Sequence, residues 1–372
     1  MKTPEKVRSV KILHCVQDDT GNMPINEDTG EETKMKLLTV TIPCYNSEAY
    51  MENCLREIVP AGEELDVIIV DDGSTDSTGA IADRWAAEYP SIVRVIHQEN
   101  GGHGEGLNQG IRHAEGIYFK SVDSDDRLDT EALKELLNRL RKHTDEEDQV
   151  DLIVNDYVYD REGERACFSV SFSKVFSPDR VNTWENCRHF SAWKQFMIHS
   201  MAYRTQMLRD MGLVLPKHTF YEDNLYIYRP LPYVKKILYL DKPLYGYFIG
   251  RADQSINEEI ILRRLDQVTW IATEMITSYT WEEMDRQPKN LRDYMLNSIA
   301  AQLFTASSLQ YIGGEEGLKK NAEMRKAIRA FDETLYRKLK HTAAGRVALM
   351  ESAQGHWLTV KFYRLGRRII KF

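Results

Sequence analysis

The sequence has few cysteines: Cys15, Cys44, Cys54, Cys167 and Cys187, odd in number and without a CxxC spacing. Neither a disulfide framework nor a zinc knuckle is indicated, and a reducing, cytoplasmic setting follows. No excess of basic residues is present. The net charge of −8 over 372 residues argues against a protein that coats nucleic acid, because phosphate binding needs positive charge on the surface. No uninterrupted apolar run approaches the roughly 18 residues of a spanning helix, and the N-terminus lacks the apolar core of a signal peptide. Internal repeats and low-complexity tracts are absent as well. What remains is the ordinary composition of a globular chain, 42% hydrophobic and 10% aromatic, long enough for two or three domains.

Residues 1–35 mix charges, Gly, Pro and Thr without periodicity and read as a disordered tail. Met35 directly precedes the first strand, so translation could begin there. From Leu37 strands and helices alternate. Leu37–Ile42, Val67–Val70, Ile92–Ile96 and Ile117–Val122 read as strands, with helices from about Ser47, at Asp76–Tyr89, in a short piece after residue 106, and at Leu128–Leu140. This alternation predicts right-handed βαβ crossovers and a mainly parallel, Rossmann-like α/β sheet, whose ligand crevice lies beyond the carboxyl ends of its strands. Three polar clusters sit at those ends: Pro43–Asn46, Asp71–Ser74 and Asp123–Asp126. A strand is expected at Val150–Val154 and a helix over 192–212. Beyond Asn257, Ile260–Tyr279 and Leu291–Leu309 show helical spacing, giving domain bounds of 36–255, divided near residue 130, and 256–372.

Asp123-Ser124-Asp125-Asp126 places three carboxylates within four residues. Like charges packed this closely repel, and a hard divalent cation taking oxygen ligands would relieve that repulsion. Asp and Ser are also good helix caps, so a simple helix start is the competing explanation. The glycine-rich stretch Asn100–Gly106, with Gly102 at its centre, lets backbone approach a phosphate or sugar closely. It matches neither the P-loop nor, after the first strand, the dinucleotide fingerprint.

Taken together, Thr41-Ile42-Pro43-Cys44-Tyr45-Asn46, Val70–Asp76, the Asn-Gly-Gly loop running to Gly110, and Asp123–Asp126 resemble the successive signatures of the family-2 inverting glycosyltransferases with the GT-A fold. The Tyr221-Glu222-Asp223-Asn224 segment resembles that family's catalytic-base stretch, and Pro243–Tyr247 the stretch that follows it. The resemblance implies a nucleotide-sugar donor, with UDP as the nucleotide, bound by Pro43, Tyr45, Asn46, Asp72, Ser74, Gly102 and Asp123. It implies Mn²⁺ or Mg²⁺ on Asp125, with Asp123 near the ribose or the metal. Asp223 becomes the general base, with Glu222 as its alternative or its orienting partner. An unperturbed aspartate, with a pKa of about 3.9, would be ionised at neutral pH. The acceptor would be the hydroxyl of a glycan or of a lipid-linked, cell-envelope molecule. Leu107 stands where many relatives carry Arg.

Two other classes compete. A sugar nucleotidylyltransferase also uses a carboxylate-bound Mg²⁺, but should show a Gly-rich loop with Arg and Lys where this chain has Pro43–Asn46. A catalytically inactive sugar-nucleotide-binding subunit would not need Asp72, Asp123, Asp125 and Asp223 together. Trp184, Trp193, Tyr203 and His218 fall where an acceptor site could form, although packing explains such residues at least as well. Arg251 could reach the diphosphate or the acceptor, although a surface cation explains it at least as well. Lone histidines such as His103 and His199 show no metal-like spacing. The chain ends in a basic amphipathic tail, Lys361, Arg364, Arg367, Arg368 and Lys371 among Phe362, Leu365, Ile369, Ile370 and Phe372. Such a tail can lie on the anionic inner face of a membrane or dock on its own domain.

Overall fold

The computed structural model describes the backbone of residues 34–161, 164–191, 194–249 and 258–370. The expected tail therefore falls almost wholly outside the described residues, as do Trp193 and Arg251. Lys36–Phe372 forms one compact unit.

Four strands open the fold: β1 (Leu38–Cys44), β2 (Leu65–Asp71), β3 (Val93–His97) and β4 (Tyr118–Ser121), joined by α1 (Met51–Ile58), α2 (Thr78–Glu88) and α3 (His103–His113). They lie parallel in the order β3-β2-β1-β4. Every residue of β2 is buried, as its apolar Val67–Val70 run requires of a strand covered on both faces. Cys44 pairs with Asp71 and Thr41 with Ser121. The three polar clusters therefore emerge side by side at one edge of the sheet, as their positions after β1, β2 and β4 predict.

Next come β5 (Arg127–Leu128), α4 (Thr130–Leu140), β6 (Leu152–Arg161), β7 (Glu164–Val170), β8 (Met201–Arg204), α5 (Thr205–Asp210), α6 (Asp223–Tyr228) and β9 (Ile237–Phe248). Here the sheet is no longer simply parallel. β8 runs antiparallel between β4 and β6, β9 pairs parallel with β6, and β5 and β7 pair antiparallel at its margins. The helix expected over 192–212 is replaced in its described part by β8 and the short α5. Met201, Ala202 and Tyr203 are consecutive and all buried. A strand covered on both faces can look like a helical segment when only apolar spacing is read.

The C-terminal part is helical throughout its described residues: α7 (Glu258–Arg263), α8 (Leu265–Ile276), α9 (Trp281–Asp285), α10 (Lys289–Ile312), α11 (Gly314–Phe331), α12 (Glu333–His341), α13 (Ala343–Ala348) and α14 (Ala353–Ile370). α10 is the central post, with Leu291, Tyr294, Met295, Ile299, Leu303 and Ala306 all buried. Tyr294 joins these helices to the sheet half. Its ring lies 4.6 Å from Phe190 and 5.0 Å from Phe196 between centroids, and its hydroxyl accepts a bond from the Phe196 amide. Trp184 belongs to the same cluster and donates its indole N–H to the Val234 carbonyl. Tyr203 is equally buried and donates to the Ile227 carbonyl. Both are core residues rather than walls of an acceptor site.

Candidate active site

The first two polar loops are stitched to each other before any ligand is considered. Asn46 takes a left-handed conformation, φ 51°, which asparagine tolerates better than most residues. Its side-chain oxygen accepts from the Thr75 amide at 2.8 Å, and its own amide donates to the Ser74 hydroxyl at 3.0 Å. Pro43 lies within β1, one residue before its end, and Tyr45 just beyond the strand is exposed. Asp72 is buried, and its carboxylate accepts from the amides of Gly101 and Gly102 and from the Gln98 side chain at 2.6–2.8 Å. It thus anchors the glycine loop. Gly102 sits at φ +82°, where a side chain would be strained. At Gly104 a Cβ would lie 2.6 Å from the Pro216 carbonyl and 2.9 Å from Glu222, so its absence lets the start of α3 press against the Glu222 segment.

The carboxylates of Asp123, Asp125 and Asp126 offer oxygens within 4.8 Å of one another, but the three are not equivalent. Asp126 is buried and already engaged, accepting from the Tyr245 hydroxyl at 2.6 Å and the Phe248 amide at 2.7 Å. Burial, with Asp123 and Asp125 adding to it, pushes its carboxyl well above the usual range. Tyr245 also accepts from the Asp123 amide, so the turn is latched to β9. The competing explanation of the cluster as a helix start fails: α4 is capped by Asp129, whose carboxylate accepts from the Ala132 amide. Asp126→Ala would leave the Tyr245 hydroxyl and the Phe248 amide without an acceptor. It is expected to destabilise the fold by about 1–3 kcal/mol, measured by urea unfolding. Unchanged stability would contradict the latch.

His103, which its sequence neighbours did not single out, connects the two ends of the site. Its Nδ1 lies 2.7 Å from Glu222 Oε1 and its Nε2 lies 3.2 Å from Asp123 Oδ1. Burial opposes charge on the ring, but the bonds to Asp123 and Glu222 outweigh it and raise the pKa well above that of a free histidine. The Asp123 carboxyl is correspondingly lowered: burial works against ionisation there, and the His103 bond and charge overcome it. Glu222 is buried and committed to this bridge. Asp223, the first residue of α6, is only partly buried. Its carboxyl does not behave as an ordinary aspartate. Burial, reinforced by the charge of Glu222 and opposed by His103, pushes it up to about 7. The preceding segment is backbone-strained, with His218 at φ 49° and Tyr221 at φ 70°. It is tied to the glycine loop by the His218 amide donating to the Gly101 carbonyl at 2.7 Å.

Beneath the turn lies a second feature that the apolar strand pattern concealed. Lys120 is fully buried, and its ammonium donates to the Asn155 side chain and to the carbonyls of His199 and Met201 at 2.9–3.3 Å. Three protons meet three acceptors. Burial still lowers its pKa to about 7, and burial together with Lys120 lowers His199 to about 3. The neutral His199 ring stacks on Tyr247 and leans on Tyr245, so it props the strand that holds Asp126.

The site thus joins a pair of interlocked polar loops, an acidic turn and a carboxylate of raised pKa. The sequence profile of glycosyl transferase family 2 matches residues 39–204, the segment that holds all three polar clusters and the glycine loop. Over this segment the chain is similar to glycosyltransferase family 2. The chain is 27% identical to glycosyltransferase GlyA of Streptococcus pneumoniae over 227 residues, a match covering 59% of this chain and 31% of GlyA. It therefore aligns with less than a third of that relative's length. Among solved structures, residues 1–349 of Staphylococcus aureus TarS in complex with UDP-GlcNAc superpose with a TM-score of 0.62 at 20% identity, covering 89% of this chain and 92% of that one. The mannosyltransferase PcManGT of Pyrobaculum calidifontis, solved with GDP-Man and Mn²⁺, gives a TM-score of 0.52 at 16% identity, covering 91% and 87%. At these identities the likeness establishes the fold, which is GT-A with a helical C-terminal region.

Proposed function

We propose that this glycosyltransferase moves a sugar, with inversion, from a nucleoside diphosphate to an acceptor hydroxyl. The observation that supports the proposal is the His103 bridge, which joins Asp123 of the acidic turn to Glu222, the neighbour of Asp223. Tyr45, Asn46 and Ser74, with Pro43 and the Asp72-anchored Gly102 loop, form the edge assigned to the nucleoside. UDP is the nucleotide favoured, supported by the likeness to TarS with UDP-GlcNAc, and an N-acetylhexosamine is the sugar favoured for the same reason.

The donor set suits a hard divalent cation. Asp125 and Asp123, which belong to the cluster of carboxylate oxygens within 4.8 Å of one another, are the ligands proposed for Mn²⁺ or Mg²⁺. Such an ion supplies Lewis-acid stabilisation of the charge that develops on the departing diphosphate. Asp223 takes the proton from the acceptor hydroxyl as its oxygen attacks the anomeric carbon from the face opposite the nucleotide. Inversion follows from that single displacement. Glu222, held by His103, orients this arrangement and is not the base. The acceptor in this reading is a glycan or lipid-linked molecule of the cell envelope, met at the cytoplasmic side of the membrane.

Turnover of a panel of α-linked nucleotide sugars, with the anomer of the product read by NMR, tests the proposal. A β-configured product is expected. An α-configured product would overturn the single-displacement mechanism.

A further inference from the structure

The terminal helix α14 divides into two faces of opposite character. One docks on the protein: Thr359 and Gly355 are buried, the Thr359 hydroxyl donates to the Val347 carbonyl at 3.0 Å, Tyr363 packs against the core, and Arg367 pairs with Glu258 at 3.4 Å. The other is uncovered. Trp357, Phe362 and Leu365 are 62%, 46% and 51% exposed. Helical spacing puts Trp357, Lys361, Arg364 and Leu365 on one strip, and the Lys361 ammonium lies 4.7 Å from the Trp357 ring centre. Aromatic and aliphatic groups of this size, interleaved with cations, suit the boundary between headgroups and acyl chains.

The charge pattern selects the partner. Residues 353–372 contain Lys361, Arg364, Arg367, Arg368 and Lys371 and no Asp or Glu, in a chain whose net charge is −8. An anionic surface attracts such a segment while the remainder of the protein is repelled from it. None of the described helices is long and apolar enough to cross a membrane, so the complementary position is in the plane of the surface.

Its location gives this face a purpose. Arg367 of α14 holds Glu258, the first residue of α7. Arg264, just past α7, stacks 3.3 Å from the ring centre of exposed Phe220, three residues before Asp223. The helix and the segment leading to Asp223 therefore both lean on the α7 region.

We propose that α14 is a membrane-surface helix: Trp357, Phe362 and Leu365 enter the headgroup region of an anionic bilayer and hold the Asp223 side of the cleft against a lipid-linked acceptor. The acceptor part rests on the catalytic reading above, whereas the surface contact does not. Flotation of the full chain with phosphatidylcholine vesicles containing about one-third phosphatidylglycerol, against phosphatidylcholine alone, tests it. The anionic vesicles should carry the protein upward, and neutral ones should carry much less. Trp357→Ser/Phe362→Ser/Leu365→Ser should weaken partitioning by about tenfold or more, and so should Lys361→Glu/Arg364→Glu. Donor hydrolysis in solution should be the same in the triple variant as in the parent. Absence of flotation, or equal flotation of parent and both variants, would overturn the proposal. A parent that is dimeric, fails to float and becomes monomeric in the triple variant would overturn it too, by showing the face to be covered by a second copy. Flotation in a protein that turns over no nucleotide sugar would support the surface contact and sink the catalytic reading alone.

Discussion

Asp223→Asn is expected to lower the rate of sugar transfer by about 100- to 10,000-fold, the range that a positioned general base contributes. Donor affinity should change little, because in the proposed mechanism Asp223 serves the acceptor while the nucleoside is held by the loops at the ends of β1 and β2. The pH dependence carries the same signature. With its pKa near 7, Asp223 is protonated and inactive as a base in acid, so kcat/KM should fall roughly tenfold per pH unit below that value and level off above it. The Asn variant should lose this acid limb along with the activity. Glu222→Gln is the discriminating control. Its carboxylate is buried and bonded to His103, so it should lose considerably less than Asp223→Asn. If Glu222→Gln were the more damaging change and Asp223→Asn nearly silent, the two roles would have to be exchanged.

The second large effect is expected at Asp125. Asp125→Asn should cut turnover roughly a thousandfold, about 4 kcal/mol of transition-state stabilisation, which is what withdrawing a Lewis acid from a departing diphosphate can remove. The fold should remain intact, since the Asp126 bonds that latch the turn to Tyr245 and Phe248 are untouched. The two neighbouring aspartates are therefore expected to separate cleanly: Asp126→Ala reduces stability, whereas Asp125→Asn reduces catalysis and the response to Mn²⁺. Saturating Mn²⁺ should not rescue Asp125→Asn. Full activity of that variant would remove the metal from the mechanism.

Much of this was legible in the sequence because parallel sheets make it so. Buried strands read as apolar runs, helices as amphipathic spacing, and the residues just past each strand end must share one edge. Pro43–Asn46, Asp71–Ser74 and Asp123–Asp126 were placed by that logic alone. What escaped depended on contacts between residues distant in the chain. His103 looked isolated because its partners, Asp123 and Glu222, are 20 and 119 residues away. Lys120 was absorbed into an apolar strand, since nothing local shows that Asn155, His199 and Met201 supply it with acceptors. The raised pKa of Asp223 comes from burial and a neighbouring carboxylate, neither of which a tetrapeptide reports. The region around 192–212 failed for a different reason: three adjacent buried residues in β8 satisfy strand and helix patterns alike. That the acidic turn does not cap α4 depended on a residue outside the motif, Asp129, which does.

The central claim is that the acidic turn and the loops beside it form a metal-assisted nucleotide-sugar site. Thermal unfolding of the intact chain with UDP-GlcNAc, in Mn²⁺ and then in excess EDTA, tests it most directly. Ligand that binds only the folded state at about 100 times its Kd should add roughly 2.7 kcal/mol of stability. The account predicts a rise in Tm with nucleotide sugar and Mn²⁺ together, most of it lost on chelation and absent in Asp125→Asn. A rise that is indifferent to EDTA and unchanged in that variant would contradict it.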